Sequence, residues 1–288
     1  MKLIKHILIL FGMGGLTLLL TACNLTDFIF NADKDYGPLP NSDAYSYETV
    51  HFPAKNGNLL EAWFFKPKTS EIKGTVLHFH GNSRNISYQF HKTAIWVDNG
   101  YQLLTFDYQG YGKSEGSPSQ QNVLDDSLAA LNYLLSRPDI QRDSMIIFGQ
   151  SLGAHLSIAF AHHAQDNFKA MVIESPFTSY DEIMTFHATR LGVPKQISDA
   201  QFNSTYSAIE VVETITIPKL FIHPPNDDVV PFFMGKLLYE KAVPPKLFWA
   251  PEAKHESTPL EHPEEFMEQV QKLLTINTTL NTYDPSHL

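Results

Sequence analysis

Residues 145–155 read Met-Ile-Ile-Phe-Gly-Gln-Ser-Leu-Gly-Ala-His, and no other stretch restricts the fold of this chain as much. Four apolar residues make a short buried strand, and Ala154, Leu156, Ile158 and Ala159 then open a helix. Ser151 therefore falls on a strand-to-helix turn. A side chain held on so tight a turn needs an abnormal backbone angle, and Gly149 and Gly153 keep Cβ atoms from colliding with the neighbouring strand and helix. G-x-S-x-G in that setting displays a hydroxyl as a nucleophile.

The surrounding chain fits the sheet that such a turn requires. Residues 47–53 and 59–66 read as two strands joined by the Asn56-Gly57 turn, a strong hairpin signal. Short β-rich runs follow at 75–80, 102–107, 145–148, 170–173, 219–223 and 246–250. Between them lie helical patterns such as Leu124, Leu128, Leu131 and Leu135, closed by Arg137-Pro138. A last helix starts near Pro263 and buries Phe266, Val270 and Leu273. The alternation predicts an α/β fold, a mostly parallel twisted sheet with helices on both faces and ligands at the carboxyl ends of its strands. With 288 residues, 43% of them hydrophobic, one large domain over residues 46–276 is expected. Within it, residues 180–217 carry Ile183, Met184, Phe186, Leu191 and Val193 and read as a small lid over an acyl pocket; residues 277–288 read as a flexible tail.

Serine is a poor nucleophile until a base takes its proton, and the base needs a carboxylate to orient it. An acid just past the strand at 219–223 would sit at the catalytic rim, which points to Asp227, with Asp228 and Glu174 as alternatives. His255 follows the strand at 246–250 and is the expected base among 13 histidines. His262, which precedes a helix, is its rival. Acyl transfer also needs donors for the developing oxyanion. The backbone N–H of Leu152 is one, and the N–H of Asn82, after the turn at Gly81, is the other. On this reading Asn82 matters only through its backbone.

Six segments occur in order: "HFHGNSRN", "FDYQGYGKSEG", "GQSLG", "ESPFTS", "FIHPPNDDVVP" and "AKHES". From about Tyr47 to Leu274 the chain thereby resembles an α/β-hydrolase of the serine-aminopeptidase and monoglyceride-lipase-like group. The resemblance implies a nucleophile–acid–base order of Ser151, Asp227 and His255 and a serine hydrolase acting on a small-molecule ester or acyl substrate through an acyl-enzyme, without cofactor or metal. A peptidase or thioesterase on the same triad is the alternative, and a non-catalytic envelope scaffold is the alternative from another class. Two departures stand out. His223-Pro224 replaces the usual His-Gly before the acid loop, which leaves Asp227 and Asp228 both open, and Gln109 stands where the group often has Arg.

A formal net charge of -10 supplies no basic cluster for phosphates, so nucleic acid is not an expected partner. Residues 110–114, Gly-Tyr-Gly-Lys-Ser, end like a phosphate-binding loop, but Asp107 occupies the position of its first glycine, so no nucleotide is expected. The first 22 residues, with Lys2, Lys5 and an apolar run from Ile7 to Leu20, read as a signal peptide. Leu20-Thr21-Ala22-Cys23 resembles the bacterial lipobox, which implies lipid on Cys23, the chain's sole cysteine. Residues 23–45 are then a lipid-anchored tether. Asn24 after the cysteine implies, by the same resemblance, the outer membrane of a bacterial envelope.

Overall fold

Fully buried apolar runs can be satisfied only inside a sheet covered on both faces, and that is where this chain puts them. The computed structural model describes residues 29–190, 192 and 206–276. The expected signal peptide, Cys23, the tail at 277–288 and the lid residues 191 and 193–205 lie outside the described residues.

The strands are β1 (Asn31–Ala32), β2 (Ser46–Pro53), β3 (Leu59–Lys66), β4 (Gly74–Phe79), β5 (Ser83–Arg84), β6 (Tyr101–Phe106), β7 (Met145–Gln150), β8 (Ala170–Glu174), β9 (Lys219–Ile222) and β10 (Lys246–Trp249). The main sheet has the order β10-β9-β8-β7-β4-β6-β3-β2. It is parallel from β10 to β6, with β3 and β2 antiparallel at one edge. The principal helices are α1 (Ile86–Asp98), α2 (Gln120–Ser136), α3 (Leu152–Ala164), α4 (Tyr180–Arg190), α5 (Ala208–Val211), α6 (Phe232–Lys241), α7 (Thr258–Glu261) and α8 (Pro263–Leu274).

Successive strand residues face opposite sides of a sheet, and here they divide into two cores. Leu77, Ile147, Met171 and Phe221 pack with Val123, Leu131, Ile158 and Met234 of α2, α3 and α6. Their neighbours Val76, Ile146, Val172 and Leu220 pack with Phe90 and Trp96 of α1 and with Phe266, Val270 and Leu273 of α8. Both faces are therefore covered by helices, as the sequence pattern predicts.

Register brings the carboxyl ends of the central strands together. Phe79 pairs with Gly149, Gln150 with Glu174, Glu174 with Ile222, and Ile222 with Trp249. The loops that follow these ends share one edge of the sheet.

Of the expected tether at 23–45, the part from Ile29 is described. From Ile29 onward it is docked on the domain: Ile29 and Phe30 are buried in the core, and β1 pairs in parallel with β5. The Asn85 side-chain amide donates to the carbonyls of Asp33 and Asp35 at 3.0 and 2.8 Å. Tyr45 packs edge-on against Phe65 and Phe90. The Asn85 partner of these carbonyls lies some 50 positions away in the chain, which no local pattern reveals.

Candidate active site

Ser151 sits between β7 and α3 with φ 52° and ψ -113°. A non-glycine residue there is strained by about 1–3 kcal/mol, and its surroundings must hold it. Its N–H donates to the Glu174 carbonyl at 2.9 Å, and its own carbonyl receives the N–H of His155 at 3.0 Å. The flanking glycines make the close approach possible. A Cβ on Gly149 would lie 2.5 Å from the carbonyl oxygen of Gly153 and from Ser157 Oγ, and one on Gly153 would overlap the carbonyls of Phe79 and His80.

Three loops deliver the expected side chains to one another. His255 Nε2 lies 2.9 Å from Ser151 Oγ, and its Nδ1 lies 2.7 Å from Asp227 Oδ2. Asp227 Oδ1 accepts from the N–H groups of Val229 and Val230, both at 2.9 Å. The carboxylate is thus fixed by two backbone donors, and an ionised acid can only accept from Nδ1–H, which leaves Nε2 to take the serine proton. Burial alone would lower the His255 pKa. The Asp227 hydrogen bond and the carboxylates of Glu256, Asp227 and Glu174 outweigh it and raise the imidazole above its ordinary value. Asp227 is pushed up by burial, but His255 and the Val230 N–H hold it below the usual carboxylate range.

The rival residues are engaged elsewhere. Asp228 is exposed, and its carbonyl receives Arg190 Nη1 at 2.7 Å. Glu174 lies under the site, accepting from Gln150 Nε2 at 2.7 Å and from the Thr258 N–H at 2.9 Å. It thereby ties the residue before Ser151 to the loop that carries His255. His262 Nε2 donates to the Glu252 carbonyl at 2.9 Å. The departure at His223-Pro224 closes locally, with the Asp227 N–H on the Pro224 carbonyl at 3.2 Å and His223 Nε2 on the Val230 carbonyl at 3.0 Å.

Among the described residues the backbone N–H groups of Asn82 and Leu152 take no acceptor, so both are free to meet an oxyanion. The Asn82 side chain has partners that the sequence reading did not give it: its Oδ1 accepts from the Asn31 N–H at 2.8 Å and from Tyr111 Oη at 3.0 Å. Two further groups were also not foreseen. Lys92 Nζ donates to Glu256 Oε2 at 2.7 Å, and the other Glu256 oxygen lies where a Cβ on Gly81 would be. Gln109 replaces an arginine's charge with two amide contacts, donating through N–H and Nε2 to Asp126 at 2.8 and 2.7 Å. Burial raises the Asp126 carboxyl to about 7, against the lowering effect of its Gln109 hydrogen bonds. Among the described residues no group of three or more His, Cys, Asp or Glu side chains forms a metal site.

Of the lid segment, residues 180–190, 192 and 206–217 are described: in α4 Tyr180 and Ile183 are buried, and Arg190 at its end reaches the loop that carries Asp227. The structure therefore brings Ser151, His255 and Asp227 into one hydrogen-bonded line and seats the two glycines around the elbow.

Comparison with known proteins agrees with this architecture. Residues 70–195 match a family model described as serine aminopeptidase, S33. The chain is 32% identical over 257 residues to the uncharacterized protein YfhR of Escherichia coli K12, covering 87% of each chain. It is 32% identical over 219 residues to the α/β-hydrolase domain-containing protein WAV2 of Arabidopsis thaliana, covering 73% of this chain and 71% of that one. The fold superposes on the Pyrococcus furiosus esterase Pf2001 with a TM-score of 0.71 at 19% identity, over 85% of this chain and 96% of the other. By these matches, and by a mostly parallel sheet with the strained Ser151 turn at its carboxyl edge, the chain belongs to the α/β-hydrolase family.

Proposed function

We propose that this hydrolase cleaves carboxylic esters of small molecules through an acyl-enzyme formed on Ser151. The observation that carries the reading is the unbroken line Ser151 Oγ–His255–Asp227, with separations of 2.9 and 2.7 Å. In the first half-reaction Ser151 Oγ attacks the ester carbonyl and its proton passes to His255 Nε2. Asp227 holds the ring and balances the imidazolium that forms. The N–H groups of Asn82 and Leu152 take the charge that develops on the carbonyl oxygen. Collapse expels the alcohol, which takes the proton from His255. Water then attacks the acyl group with His255 again as base, and Ser151 is released.

The lid segment at 180–217 would shape the acyl pocket, and the lipobox-like sequence supports lipid attachment at Cys23, which would hold the hydrolase on a bacterial envelope membrane. The description of the matching family favours one second reading, in which the same acyl chemistry serves an aminoacyl amide.

The test is a screen of p-nitrophenyl esters of increasing chain length against aminoacyl amides, with a fluorophosphonate probe on the folded chain. Covalent labelling at Ser151 is expected, and Ser151→Ala should lower turnover by about 10⁴- to 10⁶-fold. Undiminished hydrolysis by that variant would overturn the assignment. Absence of labelling on a folded sample would point to a scaffold without chemistry.

A further inference from the structure

We infer that the N-terminal arm, residues 29–37, is a part of the active site: it braces the loop that presents the Asn82 N–H, with Asn31 and Tyr111 as positioning residues. The inference rests on the reading of Ser151 as nucleophile and of the Asn82 N–H as an oxyanion donor.

Within its own stretch of chain the loop between β4 and α1 is held at Ser83, whose carbonyl accepts from Gln89 Nε2 at 2.9 Å, and at Arg84, which lies over the Tyr88 ring, while Asn82 takes its partners from elsewhere. Asn82 is half-buried, and Ser83 and Arg84 are exposed. Arg84 has φ 68°, a left-handed conformation that a side-chain-bearing residue keeps only under constraint. The strand β5 within this loop has β1 of the arm as its partner. The arm also supplies the contact nearest the chemistry, the Asn31 N–H on Asn82 Oδ1 at 2.8 Å. Tyr111 Oη reaches both the side-chain and main-chain oxygens of Asn82 at 3.0 Å. Tyr111 itself is buried and cannot follow a wandering loop.

The arm is in turn immobilised. Phe30 packs on Tyr180 at the base of α4 with ring centroids 6.5 Å apart. The Gly112 N–H and Asn85 Nδ2 both donate to the Asp33 carbonyl, at 2.9 and 3.0 Å. The Gly37 N–H donates to Ser87 Oγ at 2.8 Å. On the opposite flank Gly81 lies against the Glu256 carboxylate, which Lys92 holds. The Asn82 N–H is therefore clasped between the arm on one side and the residue after His255 on the other.

An oxyanion donor acts only if it already stands where charge develops, and displacing it removes an interaction made in the transition state and not in the ground state. Loosening the arm should thus lower kcat and leave KM alone. The contact uses a backbone N–H at position 31, so Asn31→Pro abolishes it and Asn31→Ala retains it.

In the full chain, Asn31→Pro and Tyr111→Phe are expected to lower kcat for p-nitrophenyl butyrate about tenfold or more, with KM within about twofold. The inhibition constant of a trifluoromethyl ketone, whose tetrahedral adduct carries the oxyanion, should rise by the same factor as kcat falls. Asn31→Ala keeps the backbone N–H and loses only the contact of Asn31 Nδ2 with Ser83 Oγ at 3.3 Å, so its loss of kcat should be several-fold smaller than that of Asn31→Pro. If Asn31→Pro does not fold, as judged by its melting curve, Tyr111→Phe decides. Unchanged kcat in the folded variants, a loss confined to KM, or an equal loss in Asn31→Ala would overturn the brace while ester turnover by the wild type leaves the Ser151 reading intact. A wild-type chain that turns over no ester would overturn that reading instead.

Discussion

At the scale of single residues, the site turns on how two opposing influences on His255 balance. Burial favours the neutral ring, while the Asp227 hydrogen bond and three nearby carboxylates favour the charged one, and the second effect wins. His255 must be neutral to accept the serine proton, so activity is lost as pH falls through the imidazole pKa. The acid limb of kcat/KM should therefore have its midpoint above 6.5, the ordinary value for histidine. Asp227→Asn removes the main raising influence and leaves burial, so the midpoint should move down. The ring also loses the acceptor that sets its tautomer, and kcat should drop by about 10⁴-fold. A pH–rate profile of the two proteins checks both. An unmoved midpoint would mean that the pair at 2.7 Å does not govern the titration. The hydrogen-bonded positions Ser151, Asp227 and His255 could be picked out in the sequence because each follows soon after the end of a strand. The network beneath them could not. Gln150, Glu174 and Thr258 meet across β7, β8 and the His255 loop, and nothing in the spacing of those residues predicts that they touch.

At the scale of elements, β3, β4, β6, β7, β8 and β9 were readable almost to their ends, since each is a run of mostly buried residues bounded by turn or charged residues, whereas β1 and β5, two exposed residues each, were not. The helix α1 was passed over, although its signals exist. Asn85 caps it by accepting from the Ser87 N–H, and Ile86, Phe90, Thr93 and Val97 fall on its buried face at helical spacing. Aromatic and β-branched residues mask that stripe by suggesting strand. What fixes the start of α1 is tertiary. Asp107, at the end of β6, accepts the Ile86 N–H at 2.9 Å and faces Tyr36 of the arm. Burial raises the Asp107 carboxyl to about 8. A carboxyl whose folded pKa lies above its unfolded one contributes stability that is complete below about 4 and is lost as pH rises toward about 8. From pH 6 to pH 8 the wild type should thus lose roughly 2 kcal/mol, or ~4–8 °C in melting temperature, relative to Asp107→Asn. The amide keeps an acceptor for Ile86 and has no proton to lose. Parallel melting curves at the two pH values decide it, and equal slopes for both proteins would refute the titration of Asp107.

At the scale of the whole molecule, the arm changes how the domain can relate to a membrane. Composition alone reads residues 31–46 as a spacer because Asp, Pro, Gly, Asn and Ser favour open chain. Here the Asp33 and Asp35 carbonyls accept from Asn85, the Gly37 N–H donates to Ser87 Oγ, and Ile29 and Phe30 are buried in the core just ahead of them. If lipid is carried at Cys23, five residues separate it from the buried Ile29, so a chain of that length spans at most about 20 Å. The domain would be held against the bilayer. The contacts that secure the Asn82 loop are made by Phe30, Asn31 and their neighbours in the arm, so anchoring and catalysis should separate cleanly. Cys23→Ser is expected to shift the chain from the membrane to the soluble fraction of the cell envelope, since the acyl chains that hold it are lost. Its turnover of water-soluble p-nitrophenyl acetate should stay within about twofold of the wild type, because Phe30 on Tyr180 and Asn31 on Asn82 secure the loop without the anchor. Fractionation followed by assay of both pools tests this. A soluble variant with a tenfold lower kcat would show that the arm docks only when the lipid pins its far end, and retention in the membrane pool would show that Cys23 does not carry the attachment.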